Sequence, residues 1–149
     1  MPMPRAILVM LLILPTQSWS VDTFVGGLYE FQHVEGVTGL MVEPRFRNGW
    51  ALHGAGFSER NYVALGGLYR WEGAWVVPGI GAVYIDETNL VNGTHGNFVL
   101  ALDTQSLRLG RLRCAAGWRH YSNGKCIFGW ADGRPNVGWN FVTLGCVYP

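Results

Sequence analysis

His120 and Ser122 stand two residues apart. On an extended strand that spacing places both side chains on one face, because successive side chains alternate. A histidine beside a serine can serve as base to a nucleophile. The same pair reads equally well as two polar residues on a strand surface, so the spacing gains meaning only from its surroundings. If the segment that follows folds back so that His120 faces Asn140, the same register sets Cys114 opposite Cys146, with Trp118, Val142 and Leu144 on the same face. The two cysteines would then form a cross-strand disulfide or sit there as small apolar residues. Cys126 reads as a free thiol in a loop. No CxxC pair and no His/Cys cluster has zinc spacing, so neither metal nor cofactor is predicted. His33, His53 and His95 have no partner at a meaningful spacing, and a net charge of +1 offers no footprint for nucleic acid.

The elements that must hold such a pair are strands. Met1–Arg5 gives a positive start, Ala6–Pro15 a short apolar run, and Ser18-Trp19-Ser20 small residues at the two positions a signal peptidase inspects. Residues 1–20 therefore read as a secretory signal and residues 21–149 as one domain. Hydrophobic residues make up 49% of the chain and charged ones 14%, well below the roughly 25% charged residues of soluble domains. Such a domain either hides its apolar surface or faces something other than water. Twenty-one glycines and 13% aromatic residues favour β structure with tight turns.

Turn signals divide the domain into eight predicted strands: 22–32, 37–46, 50–57, 62–71, 74–85, 97–104, 107–122 and 138–148. Pro44 and Pro78 fall inside two of them, where each removes a ladder donor. The even-numbered connections, Arg47-Asn48-Gly49, Glu72-Gly73 and Gln105-Ser106, are short. The odd-numbered ones are equal or longer, and those near 86–96 and 123–137 are much longer. Short turns at one end and long loops at the other mark an outer-membrane barrel. The seventh strand sharpens this. Leu112, Cys114, Ala116 and Trp118 lie on one face, followed by His120 and Ser122, while Arg111, Arg113 and Arg119 lie on the other. In a membrane barrel the arginines enter a polar lumen; in a soluble barrel they face water. The fold class predicted is all-β, an eight-stranded antiparallel transmembrane β-barrel of the outer-membrane type. Trp50, Trp71, Trp75, Trp118, Trp130 and Trp139 are expected in an interface girdle or in loop packing.

Two C-terminal stretches carry a more specific signal: Arg119-His120-Tyr121-Ser122-Asn123-Gly124 and Pro135-Asn136-Val137-Gly138-Trp139-Asn140. Together and in this order they resemble the signature of the lipid A 3-O-deacylase family, the PagL-like acyloxyacyl hydrolases. That resemblance implies an eight-stranded barrel with a signal peptide, seated in the cell outer membrane. Its active site would look into the outer leaflet and act on lipid A, the anchor of lipopolysaccharide, without a cofactor. It further implies Ser122 as nucleophile and His120 as general base and acid. Asn123 and Asn136, with backbone N–H groups around Gly138, would hold the oxyanion. The family pattern has Glu where this chain has Asn140, and the loop between the motifs is about six residues longer. An Asn carbonyl can still orient a histidine, though it brings no charge; the resulting triad is Ser122-His120-Asn140. Asp132 is an alternative third member. A non-catalytic barrel of the same fold, structural or adhesive, and a soluble lipocalin-type carrier are the competing readings, and homodimerisation is left open.

Overall fold

Side chains alternate between inside and outside along most of nine β-strands in the computed structural model, which describes residues 21–32, 36–58, 63–73, 75–86, 94–124 and 138–148. The strands are β1 (Val21–Glu30), β2 (Thr38–Phe46), β3 (Trp50–Phe57), β4 (Val63–Arg70), β5 (Val76–Ile85), β6 (Gly96–Thr104), β7 (Leu107–Leu109), β8 (Leu112–Ser122) and β9 (Trp139–Tyr148). Each pairs antiparallel with its neighbours, β1 pairs with β9, and β6 with β8, so the sheet closes on itself. Closure leaves no row of unpaired backbone groups at an edge. Residues 1–20, and with them the expected signal, lie outside the described residues.

β6 and β7 together make one stave of an eight-stranded barrel. Asp103 faces Gly117 and Leu107 faces Cys114, so four steps along β6–β7 match three along β8. One extra residue is accommodated around Gln105-Ser106, the arithmetic of a β-bulge. The hairpin expected at Gln105-Ser106 instead falls at Gly110-Arg111, where Gly110 takes φ +64°. A two-residue hairpin needs positive φ, which glycine adopts without steric cost. Residues 107–109 thus belong to the preceding stave, not to the strand that carries His120. Both prolines do lie in strands. The β2–β3 ladder runs from Val42↔Gly54 to Arg45↔Ala51 and skips Glu43 and Pro44, while Pro78 lies just past the end of the β4–β5 ladder.

Which face carries charge decides what kind of barrel this is. Arg119 on β8 is 0% exposed and lies inside. Its guanidinium donates to Glu43 on β2 at 3.1 Å and to Asp103 on β6 at 2.6 Å. Arg45 joins the same two carboxylates at 2.8 and 3.1 Å, and Arg70 reaches Asp103 at 3.1 Å. His53 bridges Glu43, 2.8 Å from Nδ1, and the Tyr121 hydroxyl, 2.7 Å from Nε2. The sequence alone left His53 without a partner; the fold supplies two. Outside, Leu40 is 70% exposed and Leu144 69%, within a wall that includes Val42, Leu52, Leu65 and Ile80. A water-soluble barrel would place these faces the other way round. A charged, hydrogen-bonded lumen behind an apolar outer wall is the outer-membrane arrangement, and it rules out the lipocalin-type carrier.

The lumen is graded along its axis. At the long-loop end Phe57, Tyr121, Trp139 and Phe141 pack ring against ring, with centroids 5.2–5.9 Å apart. Trp139 therefore belongs to the interior and not to an interface girdle. Below this plug sits the ionic cluster, and at the short-turn end a cavity of about 380 Å³ opens between Asp22, Arg45, Arg70 and Arg113. Arg113 pairs with Asp22 there. Outside that end Trp50, Tyr69 and Trp71 form an aromatic cluster with ring centroids 5.3 and 5.1 Å apart, at the level where aromatic rings meet an interface.

Candidate active site

The last residues of β8 before the long loop include His120 and Ser122. Tyr121 and Arg119 are buried in the lumen, so His120 and Ser122 alternate to the outer wall, where both are half-buried. β9 returns beside β8 with Asn140 opposite His120 and Cys146 opposite Cys114. The disulfide Cys114–Cys146 clamps this ladder near the short-turn end. On the other side β6 sets Leu100 against His120 and Phe98 against Ser122. The polar group thus interrupts an apolar wall near its long-loop end.

Within this group the imidazole is held from three sides. Its Nδ1 lies 2.9 Å from Asn140 Oδ1. The Trp118 indole stacks on it, with centroids 5.6 Å apart and planes inclined by 21°. Gly138, at φ +76°, lies against it closely enough that a Cβ there would come within 2.4 Å of His120 Cε1. The Asn140 oxygen also accepts a hydrogen bond from Trp118 Nε1 at 3.1 Å, and the Asn140 amide nitrogen donates to Gln32 Oε1. Phe31 N donates to the Asn140 carbonyl at 3.2 Å, which ties the end of β1 to the same spot.

The sequence-predicted residues fall into four groups. His120 and Asn140 are in direct contact, and Gly138 shapes the floor beneath the imidazole. Ser122 shares the outward row with His120, but no hydrogen bond joins the two among the described residues. Asn123 follows the strand end and is buried at 6% exposure. Asn136 and the alternative Asp132 lie outside the described residues, as do Cys126 and Trp130. Trp118 and Gln32 were not singled out as site residues by sequence. Trp118 carried a signal, its place two residues before His120 on one face. Gln32 carried none, because its approach to Asn140 depends on closure between the first and last strands.

No family model matches the chain, and no curated protein matches it in sequence. Among solved structures the barrel is similar to the crystal structure of the outer membrane enzyme PagL. The match has a TM-score of 0.57 and 18% sequence identity, and covers 87% of this chain and 98% of that one. At this identity the likeness is one of fold: a closed eight-stranded antiparallel barrel of the outer-membrane type.

Proposed function

We propose that this chain is an exported outer-membrane esterase that removes the 3-O-linked acyl chain of lipid A in the outer leaflet. The observation that carries the reading is the His120 Nδ1–Asn140 Oδ1 contact of 2.9 Å on the outward face of the barrel, beside Ser122. A polar pair on a lipid-facing wall is costly, and a substrate embedded in lipid gives it a reason to be there. Residues 1–20 serve as the export signal. Both barrel ends of the chain, Val21 and Tyr148, lie at the short-turn end, which faces the periplasm in this reading. The long-loop end then reaches the depth of lipid A. The solved neighbour, an outer membrane enzyme, agrees in kind.

In the proposed reaction Ser122 Oγ attacks the ester carbonyl and its proton passes to His120 Nε2. The tetrahedral oxyanion is received by donors at the strand end, for which Asn123, Asn136 and the backbone N–H around Gly138 are the candidates. Removing one such donor typically costs about 2.7–4 kcal/mol of barrier. The ester C–O bond breaks, His120 gives the proton to the departing sugar oxygen to leave a hydroxyl, and water, activated by His120, then cleaves the acyl-serine to release the fatty acid and free Ser122. Mass spectrometry of lipid A from cells expressing the chain tests this. One hydroxyacyl group should be lost, and Ser122→Ala should restore the full mass. An unchanged profile from a folded, heat-modifiable barrel overturns it. The second reading, a non-catalytic barrel, draws on one observation: Ser122 and His120 are not hydrogen-bonded among the described residues.

A further inference from the structure

The hydrogen-bond chain around Asn140 has a definite polarity, and it starts at Trp118. An indole nitrogen can only donate. Its contact of 3.1 Å therefore requires that the Asn140 atom facing it be the carbonyl oxygen. The same oxygen lies 2.9 Å from His120 Nδ1. An oxygen already receiving the indole proton can only accept again, so Nδ1 must carry hydrogen and the neutral ring must keep its lone pair on Nε2. At the far end the Asn140 amide nitrogen must donate, and Gln32 answers with its carbonyl oxygen.

We propose that Trp118 and Gln32 are positioning residues that lock the Asn140 amide in one orientation, and through it hold His120 in the Nδ1–H tautomer. Were the amide turned over, its NH₂ would face Nδ1 and drive the proton to Nε2, the atom that has to act as base. In a serine protease, replacing the triad acid by its amide lowers turnover by about 10⁴ through this wrong tautomer. Here an amide stands where the acid is expected, and the neighbours exclude the wrong orientation. The indole supplies a donor to one end of the amide and Gln32 an acceptor to the other. Stacking of the indole on the imidazole fixes the ring plane as well. The catalytic meaning of this lock rests on the esterase reading above; the tautomer itself does not.

The two are separated by measuring them independently. Nitrogen-15 shifts of the His120 imidazole in detergent-solubilised protein should report hydrogen on Nδ1. Trp118→Phe keeps a stacked ring without the donor, and Gln32→Ala removes the acceptor. Both should move hydrogen toward Nε2 while heat-modifiable migration shows an intact barrel. Gln32→Glu, which still accepts, should retain the wild-type tautomer. On the lipid A ester, Trp118→Phe should lower kcat, by at most the roughly 10⁴-fold that the wrong tautomer costs a serine protease, and Gln32→Glu should preserve more activity than Gln32→Ala. Hydrogen on Nε2 in the wild type, or an unchanged tautomer in both Trp118→Phe and Gln32→Ala, overturns the proposal. A wild type with hydrogen on Nδ1, its tautomer lost in the two variants, but with no hydrolysis, supports the lock and removes the esterase.

Discussion

At the scale of single residues the site depends on contacts that tolerate little change. A Cβ at position 138 would enter the space of His120 Cε1 and would also demand positive φ from a residue with a side chain. Gly138→Ala should therefore abolish most ester hydrolysis, with a stability loss of only about 1–3 kcal/mol from the backbone term. Activity and thermal unfolding measured on the same preparation check the split. Asn140 offers the opposite experiment. Asn140→Asp keeps the size and the acceptor and adds the charge that stabilises an imidazolium, while the Gln32 amide can turn to donate. Turnover should rise, by on the order of 10-fold or more, as read from the rate of acyl release.

The strands carry the site by parity. Once Arg119 points inward, His120 and Ser122 must point outward, and the reverse holds one residue along. Arg119 is thus the element's anchor as well as its marker: it binds Glu43 and Asp103 from two other strands in a lumen where both carboxylates are buried. Removing one partner of a buried ionic cluster typically costs about 3–5 kcal/mol, because the charges left behind are uncompensated. Arg119→Leu should fall in that range in equilibrium unfolding from lipid vesicles. This parity was legible from residues 111–122 alone, whereas the sequence offered the pairing of His120 with Asn140 and of Cys114 with Cys146 only as one possible register, which the fold adopts. The bulge was not. Gln105-Ser106 has turn-like composition, and only the glycine five residues on has the backbone freedom that the hairpin uses.

For the molecule as a whole, the decisive contrast is between a guanidinium that is fully enclosed and leucines that are not. Leu144 lies midway along β9 on the outer wall. Leu144→Arg should destabilise the barrel by about 2–4 kcal/mol in a bilayer, the midplane value for a lipid-facing strand. On the surface of a water-soluble protein the same change stays within about 0.5 kcal/mol. Unfolding titrations of wild type and variant in vesicles distinguish the two. The aromatic cluster of Trp50, Tyr69 and Trp71 at the short-turn end marks where that apolar wall meets its boundary.

The count of eight staves and the two-faced character of the seventh belong to the sequence by itself, because side-chain alternation and most turn chemistry are local and are written in neighbouring residues. The tertiary structure alone decided which partners fill the lumen and which hold the imidazole. Glu43 and Arg119 are 76 residues apart, and Gln32 and Asn140 are 108 apart. No periodicity spans such distances. They meet because a closed sheet must join its first strand to its last and turn one face of every strand toward a common axis.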